Sequence, residues 1–301
     1  MKTFSLDNGT LKAVFLSYGA ILHQLWVKNK NGEALNVIQG LDQPEAYLSD
    51  IWSRGAVIGR YAGRLENPIQ IEGKKIEIEH QNEILLHSGK KGWNTQYWTT
   101  IPSADPFELI FEYKCPAGVG GFPGTVNARV SYRLEENQLK IGYRATTDAS
   151  THVNLTNHAY FNLNPKGKIN THQLQVCADQ YLELKPNLVP TGKLLNVVHT
   201  PFDFKTPKVL GTTRLDDYFV LSPTNEAVVS LYEPQSGIEM KTYTNQPGLV
   251  VFTPPHFEAI CFETQKFSNT PNIPSFPSTL LKPGTIYDHQ THFKFSLRNE
   301  G

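Results

Sequence analysis

The sequence has little of what marks secreted, metal-binding or membrane-spanning chains. Its three cysteines are odd in number, lie far apart and form no Cys-x-x-Cys pair, so they support neither a disulfide framework nor a cysteine-based zinc site. No apolar run is long enough to span a bilayer, and residues 1–9 contain no apolar core of a signal peptide. We therefore expect a cytoplasmic protein with no membrane partner, because a reducing compartment suits unpaired cysteines.

The chain also lacks an excess of charge of either sign. Its 28 basic and 28 acidic residues give a formal net charge of zero, so no uniform field attracts polyanions and we expect no nucleic-acid partner. Apolar residues make up 39% and charged residues 19% of the chain, a composition that predicts a globular protein with a sizeable core. For its assembly we expect a monomer or a homodimer.

Familiar catalytic motifs are mostly missing. The sequence contains no Gly-x-Ser-x-Gly elbow, no Walker loop and no His-Glu-x-x-His, which argues against the enzyme classes that these motifs define. The glycine-rich segment 118–124 is followed by a strand-like pattern, so it has no helix N-terminus with which to hold a phosphate. A wide hairpin turn is the better interpretation of that segment.

Long helical periodicity is absent, and period-two alternation takes its place. Apolar and polar residues alternate in segments 75–79, 126–133, 139–144 and 293–297, which is typical of half-buried strands. The 22 glycines and 20 prolines separate such segments with turns. We predict one short helix, over residues 44–54.

Many strands without intervening helices predict an all-β fold, an antiparallel sandwich or barrel. The chain shows no linker, charge block, low-complexity tract or convincing internal repeat. Large all-β units reach this length undivided, so we predict one domain over residues 1–301.

Two residues are candidates for acid/base chemistry. His158 lies in the segment 154–163, Asn-Leu-Thr-Asn-His-Ala-Tyr-Phe-Asn-Leu, which is too polar for an ordinary core strand and too aromatic for a plain surface. Glu263 is flanked by Cys261 and Phe262, and an apolar setting would raise its pKa and make it a stronger base once ionised. The structural alternatives are a satisfied histidine and a salt-bridged strand glutamate. If the two groups face each other across a cavity, they form an acid/base pair.

Other polar residues are candidates for ligand binding. His87 follows an apolar pair and precedes a turn, a position from which side chains commonly point into a cleft. Arg64 follows a glycine that lets a ligand approach the backbone, whereas Arg60 is equally well explained by a buried ion pair. Asp216 and Asp217 are either solvated turn residues or acceptors for the hydroxyl groups of a ligand.

These residues belong to motifs that occur together in a known order. The chain resembles the aldose 1-epimerase family, also called the galactose mutarotases, from end to end. The motifs that carry the resemblance are residues 59–64, 86–89, 121–124, 154–163, 200–204, 216–219, 246–248, 262–265 and 277–284.

The resemblance implies a large antiparallel β-sandwich, the galactose mutarotase-like supersandwich, with a site in a cleft on one sheet. It implies an isomerase of carbohydrate metabolism that interconverts the α and β anomers of free aldohexoses such as galactose or glucose without a cofactor. By motif position, His158 would be the acid that protonates the ring oxygen and Glu263 the base. The positions that match sugar-binding residues are Arg64, His87, Asp216 and Gln246.

The chain departs from the family pattern at three positions. The family often has Asn where this chain has Gly63, usually has Gly where this chain has Ser88, and usually has His where this chain has Asp217. Each change affects the rim or the hydroxyl contacts rather than the acid/base pair. The resemblance therefore predicts the reaction and leaves the preferred sugar open.

Two other functions remain open from the sequence. A hexose-6-phosphate 1-epimerase of the same superfamily would need cations for the phosphate, which Arg60, Arg64, Lys90 or Lys91 could supply. A non-catalytic carbohydrate-binding protein would use the 11% of aromatic residues to stack on sugar faces. The presence of both candidate catalytic residues argues against the second alternative.

Overall fold

The computed structural model describes residues 1–298, and most of its regular elements are β-strands, as the alternation predicts. In chain order the strands are β1 (Thr3–Asp7), β2 (Lys12–Leu16), β3 (Ile21–Lys28), β4 (Ala34–Asn36), β5 (Val57–Ile58), β6 (Arg64–Glu66), β7 (Ile69–Ile71), β8 (Lys74–Ile76), β9 (Ile84–Leu86), β10 (Thr99–Ile101), β11 (Glu108–Cys115), β12 (Val126–Glu135), β13 (Gln138–Thr147), β14 (Thr151–His152), β15 (Thr156–Asn157), β16 (Tyr160–Phe161), β17 (Gln173–Val176), β18 (Ala178–Leu184), β19 (Pro190–Asn196), β20 (Lys208–Val209), β21 (Asp216–Leu221), β22 (Val229–Tyr232), β23 (Ile238–Thr244), β24 (Gly248–Phe252), β25 (Ile260–Gln265), β26 (Leu280–Leu281) and β27 (Tyr287–Leu297).

Helical structure in residues 1–298 is limited to short 3₁₀ segments. These are Pro44–Ser49, Gly89–Lys91, Trp93–Thr95, Val119–Gly121, Ile169–Thr171 and Thr270–Asn272. The predicted helix over residues 44–54 is present in shortened form, since it ends at Ser49. None of the helices in this part of the chain is long and apolar enough to cross a membrane.

Two large antiparallel sheets form the body of the fold, which confirms the predicted all-β architecture. The nine-stranded sheet has the order β10-β11-β12-β13-β27-β23-β22-β17-β20, and the six-stranded sheet has the order β16-β25-β24-β21-β18-β19. A four-stranded sheet, β1-β2-β3-β4, lies at the start of the chain. Strand β12 shows why these residues form strands, because its apolar side chains at every second position are buried and the residues between them are not.

The core lies between the sheets and is held by aromatic contacts across them. The rings of Phe161 in β16 and Phe293 in β27 lie 4.9 Å apart and join the six-stranded sheet to the nine-stranded sheet. The rings of Phe15 in β2 and Tyr132 in β12 lie 4.6 Å apart and attach the four-stranded sheet. Each such side chain contributes roughly 1.5–3 kcal/mol through burial. These contacts fix the sheets against each other beneath the site.

Arg60 is a buried cation held by backbone carbonyls. Its Nη1 donates to the carbonyl oxygens of Pro123 at 2.8 Å and Gly124 at 3.0 Å, and its Nη2 donates to that of Pro116 at 3.2 Å. No carboxylate within residues 1–298 forms an ion pair with it, so the alternative of a buried ion pair is wrong. The guanidinium instead ties segment 116–124 to the strand end after β5, and it is not free to bind a ligand.

We predict that Arg60→Met lowers the free energy of unfolding by about 3 kcal/mol, because three carbonyl oxygens lose their donor in the interior. Urea denaturation followed by tryptophan fluorescence measures the change. The matched control is Arg129→Met, since Arg129 is exposed and pairs with Glu112 on the surface. That control should cost less than about 1 kcal/mol. Equal losses in the two variants would contradict the structural role of Arg60.

Candidate active site

The site is a cleft on the face of the six-stranded sheet that points away from the core. In β25 the side chains alternate, so Phe262 and Thr264 turn into the core while Cys261 and Glu263 turn to the opposite face. Thr264 fixes this orientation, because its Oγ1 is hydrogen-bonded to Oγ1 of Thr291 in β27 at 2.5 Å. Glu263 is thereby presented to the cleft by a strand that is buried along its whole length.

His158 meets Glu263 at the bottom of this cleft. It lies in the link between β15 and β16, where its backbone N–H donates to Ala56 and its carbonyl accepts from the N–H of Gly55, both at 2.9 Å. Its Nε2 lies 3.4 Å from Oε1 of Glu263, and both side chains are buried. The other oxygen of Glu263, Oε2, is buried and has no hydrogen-bond partner among residues 1–298. The predicted acid/base pair is therefore in direct contact, with one carboxylate oxygen free for a ligand.

Burial drives the pKa values of the two groups in opposite directions. The pKa of Glu263 is raised to about 8, chiefly by burial and to a lesser degree by the charge of Asp216, while Arg64 opposes the rise. Burial also lowers the pKa of His158 to about 4, against a smaller upward effect of its own backbone carbonyl. At neutral pH the two groups together hold one proton, and these pKa values place it on Glu263 rather than on His158.

Cys261 supports His158 from the other side of the ring. Its Sγ lies 3.5 Å from Nδ1 of His158, so the nitrogen that faces Glu263 is Nε2. The ring of Tyr160 lies 5.0 Å from the imidazole and covers one face. Sequence reasoning missed Cys261, although a signal was present: it stands two residues before Glu263, so the two share one face of the strand.

His87 is held as a neutral hydrogen-bond donor. It follows β9, and the backbone N–H of Gly63 donates to its Nδ1 at 3.2 Å. Burial lowers the pKa of His87 well below its usual value, and the charges of His158 and Arg64 act in the same direction. Because Nδ1 of the neutral ring accepts a hydrogen bond, Nε2 carries the proton. His87 can therefore donate from Nε2 to a ligand oxygen.

The same three side chains have the composition of a metal site. The ligand atoms of His87, His158 and Glu263 lie within 4.8 Å of one another, and two histidines with a glutamate are a known set for zinc. However, Nδ1 of His87 is taken by the N–H of Gly63 and Nε2 bears the proton, so this ring has no lone pair to give. The arrangement suits proton transfer and hydrogen bonding better than metal ligation.

Arg64 and Asp216 line the cleft beside the acid/base pair. Arg64 begins β6 and pairs with Leu86 of β9, which places it next to His87. Asp216 begins β21, and its Oδ2 lies 3.6 Å from Nη2 of Arg64 in a partly exposed ion pair. The structure thus brings five predicted site residues together: His158, Glu263, Arg64, His87 and Asp216.

Gln246 is not brought to this cleft. It lies before β24, and its amide Nε2 donates to Asn245 at 2.9 Å. Strands β21 and β24 are antiparallel, so Asp216 lies beside Phe252 at one end of β24 while Gln246 precedes the other end. The residue of β24 that lies opposite Glu263 and lines the cleft is Val250. Antiparallel pairing therefore corrects the prediction that Gln246 is a sugar-binding residue.

The far wall of the cleft is apolar. Leu184, Leu188 and Pro190 come from the β18–β19 hairpin and face the polar side chains together with Val250. Sequence reasoning missed this wall, because the hairpin reaches the site through pairing with β21 rather than through any local pattern. A ligand in the cleft therefore contacts hydrogen-bonding groups on one side and hydrocarbon on the other.

Two of the three departures from the family pattern do not line the cleft. The Oγ of Ser88 is buried, accepts from the N–H of Tyr61 at 2.7 Å and donates to its carbonyl at 3.2 Å, so it joins two loops behind the site. Asp217 accepts from the backbone N–H of Asp216 at 3.1 Å, and burial raises its pKa to about 6. The third departure, Gly63, does line the cleft.

Comparisons with known proteins agree with this fold and show the family. The family model described as aldose 1-epimerase matches residues 2–294. The chain is 34% identical to a galactose mutarotase from Bos taurus and 33% identical to one from Homo sapiens, covering 99% of this chain and 94% of each relative. An aldose epimerase homologue from C. elegans superposes with a TM-score of 0.94 at 27% identity, covering 99% of both chains. The chain belongs to the aldose 1-epimerase family.

Proposed function

We propose that the protein interconverts the α and β anomers of free aldohexoses such as galactose or glucose, with His158 as the acid and Glu263 as the base. The observation that carries the proposal is the 3.4 Å contact between these two buried groups in a cleft lined by hydrogen-bonding side chains. Family membership makes the protein an isomerase of the aldose 1-epimerase class.

The chemistry needs the single proton of the pair on His158, whereas the pKa values of the sugar-free site favour Glu263. The proton therefore first passes from Oε1 of Glu263 to Nε2 of His158 across their 3.4 Å contact. Ionised Glu263 takes the proton of the anomeric hydroxyl while His158 protonates the ring oxygen, so the C1–O5 bond breaks. The open aldehyde turns about C1–C2, and the steps reverse on the other face. The low pKa of His158 makes it a strong acid toward a weakly basic ether oxygen, and the high pKa of Glu263 makes it a strong base. Each turnover returns the proton, so no cofactor takes part.

The neighbouring side chains supply the contacts that hold a sugar. Nε2–H of His87 and the guanidinium of Arg64 are donors, whereas the carboxylate of Asp216 is an acceptor. Hydroxyl groups of a pyranose both donate and accept, so such a mixed set suits a neutral sugar. The apolar wall opposite can pack against the C–H groups of the ring.

A hexose 6-phosphate is a weaker second candidate as substrate. The feature that favours it is Lys90, which lines a groove next to Arg64. Arg60 cannot help, since backbone carbonyls hold its guanidinium, and Arg64 already pairs with Asp216. Rates with glucose and with glucose 6-phosphate distinguish the two substrates.

We also propose a cytoplasmic location, because Cys115, Cys177 and Cys261 are all free.

We predict that Glu263→Gln and His158→Asn each lower kcat by a factor on the order of 10²–10⁴, because each removes one proton-transfer group. Gln keeps the size of Glu263, and Asn keeps a polar but smaller side chain at position 158. Polarimetry of freshly dissolved α-D-galactose or α-D-glucose measures the rate. The control is Glu239→Gln in β23, a carboxylate on the other large sheet, which should leave the rate unchanged. Near wild-type rates in both site variants would refute the assignment, and sugar binding without catalysis in the wild type would favour a binding protein.

We predict that kcat/KM is highest between about pH 4 and about pH 8, the pKa values of His158 and Glu263. Within this range the pair holds one proton, which can move from Glu263 to His158 and leave one base and one acid. Below the range both groups are protonated, so no base is left; above it neither is protonated, so no acid is left. Polarimetry across this range, corrected for uncatalysed mutarotation at each pH, tests the profile. A kcat/KM that keeps rising well beyond pH 8 would contradict this assignment of protons to the pair.

A further inference from the structure

Gly63 stands at the one departure from the family pattern that lines the cleft. Its backbone has φ +83°, and its N–H donates to Nδ1 of His87. A Cβ atom built on Gly63 would lie 2.1 Å from Oγ and 3.0 Å from Cβ of Ser268. Non-bonded heavy atoms do not approach this closely, so the space of a side chain at position 63 is already filled by Ser268. The lack of a side chain at Gly63 is therefore what allows Ser268 to occupy its position.

The position of Ser268 is fixed by hydrogen bonds on both of its neighbours. The carbonyl of Phe267 accepts from the hydroxyl of Tyr61 at 3.2 Å and from Oγ1 of Thr270 at 2.7 Å. Oδ1 of Asn269 accepts from the backbone N–H of Glu66 at 3.0 Å. The turn that follows β25 is therefore tied to the segment around β6, and it holds the hydroxyl of Ser268 beside Gly63.

The hydroxyl of Ser268 has hydrogen-bonding capacity to spare. Nε2 of Gln265 donates to its Oγ at 3.5 Å, which uses an acceptor site and leaves the hydroxyl proton to be donated. Within residues 1–298 no acceptor is hydrogen-bonded to that proton. Ser268 is mostly buried and lines the same cleft as Arg64, His87 and Glu263. A hydroxyl in this position contacts a ligand that binds between those side chains.

We propose that Ser268 is a substrate-binding and specificity-determining residue, whose hydroxyl hydrogen-bonds one hydroxyl group of the sugar from the place that a side chain at position 63 would otherwise occupy. The proposal rests on the proposed anomer-exchange function and adds to it a residue that contacts the substrate away from the reacting carbon. Ser268 lies outside the acid/base pair, so it affects which aldose is held rather than how its ring opens. Epimers that turn this hydroxyl away from Ser268 are bound more weakly.

The first test is Ser268→Ala with glucose, galactose and their monodeoxy analogues. For the preferred hexose we expect KM to rise about tenfold with kcat within about twofold, because the lost contact binds ground state and transition state alike. For the one analogue that lacks the bonded hydroxyl we expect no further loss, since the two changes remove the same interaction. The control Ser296→Ala alters an exposed serine of β27 and should change neither constant.

Two results would overturn the proposal. One is unchanged KM for every sugar in Ser268→Ala, and the other is an equal loss for every sugar and every deoxy analogue, which is what a purely structural serine would produce. The wild-type rate separates this failure from failure of the proposed function. An inactive wild type refutes the anomer exchange, whereas an active wild type with an indifferent Ser268 refutes only this inference.

A second test exchanges the two side chains. Gly63→Asn alone should lose activity about tenfold or more, because the new side chain overlaps Ser268; Asn is chosen because it tolerates a positive φ better than most residues. Adding Ser268→Gly vacates the space, so the double variant should regain most of the lost kcat/KM and show a changed order of preference among the sugars. A double variant no more active than Gly63→Asn would contradict the shared space.

Discussion

The contact between His158 and Glu263 is the interaction on which the site depends. Two titratable groups buried side by side would be costly if both were charged and poorly solvated, so burial pulls their pKa values apart until the pair carries a single proton near neutrality. In the proposed reaction this single proton passes from Glu263 to His158 before the ring opens and returns after the ring has closed. The desolvation that makes the pair expensive to bury is therefore what fits it to act as acid and base at neutral pH.

The sheet supplies the precision that this contact needs. Thr264 and Phe262 anchor β25 to the core, so Glu263 can point only to the cleft, and a slip of one residue in the pairing with β24 would exchange the two faces. His158 sits in a short link, yet its backbone is fixed by hydrogen bonds to Ala56 and Gly55. Both reacting groups thus rest on backbone that is paired, which suits an acid and a base that must keep a fixed separation.

Local sequence patterns were enough to predict most of the fold and part of the site. The alternation in β12, β13 and β27 predicted strands that are present, and motif order identified the residues that meet in the cleft. What failed depends on contacts that no local pattern encodes. Antiparallel pairing places Val250 beside Glu263 and leaves Gln246 beyond the other end of β24. Arg60 donates to carbonyl oxygens that lie more than fifty residues further along the chain. Cys261 could have been found from period-two spacing alone.

The departures from the family pattern show how the reaction and the choice of sugar are separated in this fold. None of them touches His158 or Glu263: Ser88 joins two loops to each other, and Asp217 bonds the backbone beside it. Gly63 is accompanied by a serine that fills the missing volume. Glu263 stands on β25 and His158 on the hydrogen-bonded link before β16, whereas Gly63, His87 and Ser268 lie outside the six-stranded sheet in loops that border the cleft. Changes in those loops can therefore alter which hydroxyls are recognised while the proton transfer at the anomeric carbon stays the same.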